Sequence, residues 1–183
     1  YLYAMGAEEP PTGGFQARPH AASDFLRSVH RRFRWIVADV PRGDPVLQRQ
    51  VIEAATDVLM IVDLTLPGVR DALRLQQMIS DVSPGTRLHV ATSGAVDARR
   101  SAVKFADVER SLKRKVDCQI PSDPAAALAA VNFGKPLSEA SPNSGIVKAL
   151  RPLVATLDAA EKPETPGKAS GLLLRFRQGL KKK

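Results

Sequence analysis

The sequence predicts an α/β fold, a mostly parallel sheet with helices on both faces, and three observations predict it. Four apolar runs read as strands buried on both faces: "WIVA" at 35–38, "VLMIV" at 58–62, "LHVA" at 88–91 and "VDCQI" at 116–120, the first two dominated by β-branched residues. Their starts lie 23, 30 and 28 residues apart, which is the length of a strand, a crossover helix and its loops. Asp44-Pro45, Asp123-Pro124 and Ser141-Pro142 each put a good N-cap residue before a Pro at the first helical position, where its missing N–H costs nothing.

The elements follow in chain order. "YLYAMGA" at 1–7 reads as a further strand, residues 8–19 with Pro10, Pro11, Gly13, Gly14 and Pro19 as a loop, and "ASDFLRSVHRRF" as a helix leading into Trp35. In the helix opened at Ser141-Pro142, Ile146, Leu150, Leu153 and Leu157 recur at helical spacing, and Pro152 is expected to kink or split it near Arg151. Residues 1–160 form the expected domain, "EKPETPGKASG" at 161–171 a linker, and 172–183 a basic tail. The chain opens without Met and reads as if it starts inside a strand, so a removed upstream portion is expected.

At 183 residues the chain is long enough for one core, and 44% apolar with 25% charged residues is the composition of a soluble globular protein. No uninterrupted apolar run approaches the roughly 20 residues of a spanning helix. Cys118 is alone and no signal peptide opens the chain, so the cytoplasm is the expected compartment. Of the formal +8, six positive charges (Lys168, Arg175, Arg177, Lys181, Lys182, Lys183) lie in the last sixteen residues, which leaves +2 for residues 1–167. A near-neutral body disfavours nucleic acid as a partner.

The tail "GLLLRFRQGLKKK" sets Leu172, Leu173, Phe176 and Leu180 on one helical face, with Arg175, Arg177, Lys181, Lys182 and Lys183 to its sides or beyond its end. Apolar insertion plus attraction to anionic lipid is how such a segment holds a membrane surface. The alternative is a disordered basic tail or one that docks on a protein, because Gly171 and Gly179 each weaken an isolated helix by about 1 kcal/mol.

In a parallel sheet the loops after the strands gather at the ligand-binding edge. Here they are Asp39–Asp44, Asp63–Gly68, Thr92–Val96 and Pro121–Asp123, each with small, polar or Pro/Gly residues. A phosphate loop is not among them: the Gly-Lys pairs Gly134-Lys135 and Gly167-Lys168 have Ala129 and Lys162 where the motif needs its first Gly. No G-x-S-x-G elbow supports a hydrolase triad, and His20, His30 and His89 share no metal spacing. His20 and His30 read as surface residues, His89 as a strand residue facing a helix, and Cys118 as a small buried apolar residue.

The order of "FRWIVADVPRGDPVLQRQVIEAATDVLMIVDLTLPGVRDALRL", "VDCQIPSDPAAALAAVNFGKPLSE" and "SPNSGIVKALRPL" resembles the C-terminal two-thirds of a ParA/MinD-type P-loop ATPase domain, over about residues 30–157. Its CpaE/TadZ branch, associated with tight-adherence pili in bacteria, is the most similar. The resemblance implies a P-loop NTPase-like fold lacking its N-terminal part, with the family's phosphate loop before the first residue. It implies ATP and Mg²⁺ as cofactors, with Asp39 orienting Mg²⁺ and its waters, Val40, Pro41, Arg42, Gly43 and Asp44 as the switch that senses the γ-phosphate, and Pro121 and Asp123 near the adenine. A carboxylate suits Mg²⁺, a hard cation that keeps several waters.

Residue by residue, plainer identities stand beside these. Asp39 is otherwise a strand-end carboxylate that accepts N–H bonds from the Pro-Arg-Gly turn, Arg42 a solvated loop arginine, and Asp123 a helix N-cap. Many relatives carry an Asn-Arg pair that contributes to adenine recognition, where this chain has Thr92 and Ser93. The branch also includes members with degraded nucleotide sites, so turnover does not follow from the fold. The function expected is positioning of a pilus-assembly or secretion machine by an ATP-dependent homodimer, held peripherally at the inner face of the membrane by a tail resembling that of MinD. The alternatives are a non-hydrolysing localisation scaffold and a DNA-partitioning ATPase.

Overall fold

The structure, a computed structural model, describes residues 19–94 and 103–161. The expected strand at 1–7, the linker and the basic tail lie outside the described residues. The chain divides into two compact units, Tyr1–Gln119 and Ile120–Lys183.

In the first unit α1 (Ala21–Val29) and α2 (Pro45–Ala54) precede β1 (Asp57–Asp63), α3 (Leu66–Val82), β2 (Arg87–Ser93), α4 (Phe105–Leu112) and β3 (Cys118–Ile120), whose last residue begins the second unit. The sheet order is β1-β2-β3, with β1 and β2 parallel in the register Asp57↔Arg87 to Asp63↔Ser93. Met60 and Val62 of β1 and Leu88 and Val90 of β2 are buried in one core with Ile52 of α2, Val69, Ala72 and Ile79 of α3, and Val108 and Leu112 of α4. The α/β architecture expected from the spacing of the apolar runs is present.

Three of the four predicted strands form, with corrections. The run 35–38 carries no strand pairing among the described residues, and Trp35, Ile36 and Val37 are exposed, Val37 by 92%. Apolar, β-branched composition gives a strand its propensity, but a ladder needs a neighbour, and none of the described strands lies against this run. β1 is not buried on both faces either: Met60 and Val62 point into the core, whereas Leu59 and Ile61 are 41% and 47% exposed. β3 starts at Cys118 rather than Val116, and just ahead of it the pairing with β2 mixes one backbone bond, Asp117 N–H to the Val90 carbonyl at 2.8 Å, with side-chain ones. The Asp117 carboxylate accepts the Val90 N–H at 2.7 Å, and Arg114 donates to the Leu88 carbonyl at 3.0 Å. Cys118 is buried as expected, and its thiol is pushed up by that burial and, secondarily, by the Asp117 charge.

His89 faces a carboxylate rather than a helix. Arg87 donates Nε and Nη2 to the two oxygens of Asp57 at 2.8 and 2.7 Å, and His89 Nε2 lies 2.9 Å from Oδ1. The Arg87 hydrogen bonds, supported by His89 and opposed by partial burial, hold the Asp57 carboxyl down from 3.8 to about 2. A depressed carboxylate stabilises the fold above its unfolded value and loses that contribution as pH falls through the folded one. Arg87 is half exposed, so solvent screening reduces the contribution to about 1 kcal/mol. Asp57→Asn should therefore lower unfolding free energy by about that amount at neutral pH, and urea titrations should show the deficit shrinking as pH is lowered from 3.8 towards 2.

In the second unit α5 (Pro124–Phe133), α6 (Leu137–Ala140) and α7 (Gly145–Glu161) bury Ala126, Val147 and Leu153. The third predicted helix start moves: Ser141 caps the C-terminus of α6, and α7 opens at Gly145 behind Ser144, whose Oγ accepts the Val147 N–H at 3.3 Å. Pro142 sits in the turn closed by Ser144 N–H on the Ser141 carbonyl at 3.0 Å. Pro152 does not split α7, which runs continuously through it. The apolar stripe does what its spacing predicts, with Leu153 buried and Ile146, Leu150 and Leu157 half-buried.

Candidate functional site

The loop after Asp39 is fixed at three points. Gln48 Nε2 donates to the Pro41 carbonyl at 3.0 Å, so the first turn of α2 holds the loop's entry. Arg42 and Gly43 form a turn, from which Arg42 Nη2 reaches Asp63 Oδ2 at 3.4 Å and the Ile61 carbonyl at 3.5 Å. Asp44 ends the loop as the N-cap of α2: its Oδ1 accepts from Val46 and Leu47 N–H at 3.0 and 2.9 Å. Val40 is half-buried and Asp39 is exposed. Among the described residues nothing donates to the Asp39 carboxylate, so the Pro-Arg-Gly turn does not occupy it.

Asp63 ends β1 on the same side. Its carbonyl accepts the Thr65 N–H at 2.7 Å, and Thr65 Oγ1 in turn accepts the Gly68 N–H at 3.0 Å to cap α3. The turn is tight enough that a Cβ on Gly68 would lie 2.5 Å from the Asp63 carbonyl oxygen. Gly43, by contrast, has nothing within 4 Å of a Cβ. Thr92, at the end of β2, is 3% exposed, so its side chain belongs to the packed interior.

The fit of a nucleotide-bound Mg²⁺ can be judged from the donor set. Among the described residues no three His, Cys, Asp or Glu side chains cluster to hold a metal. Asp39 presents a single exposed carboxylate, neither oxygen of which is claimed by a described residue. One carboxylate with the remaining positions left to water and phosphate is the usual protein share of a Mg²⁺ site, and Asp39 fits it.

Pro121 and Asp123 belong to the second unit. Asp123 is the N-cap of α5, its Oδ1 accepting from Ala126 N–H at 3.1 Å, which is the plainer identity read from Asp-Pro. The Pro121 ring packs at the start of α7, 3.0 Å from where a Gly145 Cβ would stand. Leu172, Leu173, Arg175, Phe176, Arg177, Leu180 and Lys181–Lys183 lie outside the described residues. Sequence reasoning missed Asp63 and Gln48 as parts of the loop's setting. Asp63 had been placed in a ligand-edge loop by its position after a strand, but its pairing with Arg42 had no sequence signal.

Similar folds occur among solved structures. The chain superposes on a ParA family ATPase from Chlorobium tepidum TLS with a TM-score of 0.63 and 20% identity, covering 73% of this chain and 55% of that one. MinD from Pyrococcus horikoshii OT3, solved in complex with Mg-ADP, gives 0.66 at 15% identity, over 85% of this chain and 59% of that one. The cell division ATPase MinD of Pyrococcus furiosus gives 0.67 at 17% identity, over 79% and 60%. The likeness establishes an α/β, P-loop NTPase-like fold, and the chain spans less than two thirds of the length of these structures. No protein-family profile matches the sequence, and no curated protein does.

Proposed function

We propose that this chain is part of a ParA/MinD-like positioning ATPase of the CpaE/TadZ kind, serving a bacterial tight-adherence pilus or secretion machine. One observation carries the reading: an exposed carboxylate without a partner among the described residues, Asp39, opens a Pro-Arg-Gly loop that Arg42 ties to the end of β1, in a fold shared with ParA and MinD structures. Asp39 orients Mg²⁺ and its waters, and Val40, Pro41, Arg42, Gly43 and Asp44 change position with the γ-phosphate. Pro121 lines the base, and Asp123, which caps α5 through Oδ1, keeps Oδ2 for it. Bound ATP favours a homodimer.

The dimer brings two tails to the inner face of the membrane, where two weak attachments become tight together through effective concentration. No described helix is long and apolar enough to cross a membrane; in this reading attachment rests on Leu172, Leu173, Phe176 and Leu180 and on the tail's cations, each adding about 1 kcal/mol near an anionic leaflet. Deleting residues 171–183 should reduce retention on phosphatidylglycerol vesicles several-fold, and unchanged retention would remove the tail from this role.

The deciding experiment is calorimetric titration of the full-length gene product with ATP, with Mg²⁺ and with the metal chelated. Binding that requires Mg²⁺ supports a nucleotide switch. Its absence makes the protein a localisation scaffold of the same fold.

A further inference from the structure

β1 begins and ends with an aspartate, and each takes an arginine, but the two pairs are built differently. At the start, Asp57 accepts two short bonds from Arg87 (2.8 and 2.7 Å) and its side chain is 18% exposed. At the end, Asp63 accepts one long bond from Arg42 Nη2 (3.4 Å), and both side chains are open to solvent, by 51% and 63%. The first pair is a bidentate anchor. The second is far longer than a settled charge-assisted bond of about 2.8 Å, and an exposed pair holds its partners by a factor of at most about five.

The second bond of Arg42 fixes where it lies. Thr56 gives its carbonyl to Arg87 N–H of β2 at 3.0 Å, so in this parallel register the backbone N–H and C=O groups of even-numbered β1 residues face β2 and those of odd-numbered ones face away from it. Ile61, whose carbonyl Arg42 reaches at 3.5 Å, is odd. Arg42 therefore rests on the side of β1 away from β2, which no described strand pairs, held by one carboxylate and one carbonyl. A guanidinium so held exchanges readily for a phosphate, which offers stronger acceptors in the same fork geometry.

Resting on the nucleotide reading above, we propose that Asp63 is a positioning residue: it holds Arg42 against β1 in competition with the γ-phosphate of a bound nucleoside triphosphate. Asp63 thereby opposes ATP binding, and Arg42 contributes to telling ATP from ADP. The backbone carbonyl of Asp63, not its side chain, serves the turn into α3, so the carboxylate can be altered without unmaking that turn.

The test is a double-mutant cycle on the full-length gene product, read as Mg²⁺-ATP and Mg²⁺-ADP affinity by calorimetry. Asp63→Asn should tighten ATP binding by up to about fivefold and leave ADP binding unchanged, and Asp63→Glu should restore the wild-type ratio. Arg42→Ala should lower the preference for ATP and abolish the effect of Asp63→Asn. Wild-type binding with an ATP-to-ADP ratio that Asp63→Asn leaves unmoved, or that it shifts equally in the Arg42→Ala background, overturns the latch alone. No binding of either nucleotide by any variant removes the nucleotide reading, and the latch falls with it.

Discussion

Replacing Asp39 with Ala should weaken Mg²⁺-ATP binding by about 10- to 100-fold, the usual cost of losing a group that orients a metal's shell. The same substitution should change unfolding free energy by no more than about 0.5 kcal/mol, as at other exposed positions without packing or capping roles. The two halves together make the experiment sharp. A carboxylate that accepted turn amides would lose stability on truncation, because those N–H groups would be left without a partner. Asp39 accepts no such bond among the described residues and is exposed. A loss of affinity without a loss of stability, measured by calorimetry and urea unfolding on the same preparation, identifies a carboxylate kept for a ligand. Loss of stability with unchanged affinity assigns Asp39 to the fold.

Local chemistry made part of this structure legible. Asp44 and Asp123 cap helices because the acceptor and the N–H groups it serves lie two or three residues apart, and Asp-Pro displays that arrangement in the sequence. The apolar runs at 58–62 and 88–91 became strands because each found the other as a neighbour in register. The run at 35–38 has a similar apolar composition, and what it lacks among the described residues is a strand partner, which no property of the run itself reveals. Ser141 and Ser144 are both credible caps by residue type. The choice fell to Ser144 because the turn at 141–144 closes on the Ser141 carbonyl and delays the helix. In the candidate site the loop was legible from its position after an apolar run, whereas the Arg42–Asp63 pair joins residues 21 apart and depends on how two elements are set side by side. His89 shows the same limit, since its partner Asp57 is 32 residues away.

Fold and candidate site meet at Gly68. Gly68→Ala should lower unfolding free energy by about 2 kcal/mol, the scale of overpacking a tight site, and should alter the nucleotide response as well. In a helix interior Ala is better than Gly by about 1 kcal/mol, so propensity alone predicts stabilisation. Sterics reverse the sign here: the new Cβ would stand 2.5 Å from the Asp63 carbonyl oxygen, 3.2 Å from its carbonyl carbon and 3.1 Å from Thr65 Oγ1. The nearest obstacle is backbone, which cannot swing aside as a flexible side chain would. Relief must come from moving the end of β1 or unwinding the first turn of α3, and the first of these carries Asp63 away from Arg42. The variant should then show the ATP preference of Asp63→Asn despite an intact carboxylate, together with a lowered melting temperature. Gly43→Ala is the matched steric control for stability, because that Cβ meets nothing within 4 Å, and it should leave the melting temperature near wild type. A Gly68→Ala protein as stable as wild type would mean that the turn after β1 yields freely, and Asp63 could not then hold Arg42 in a defined place.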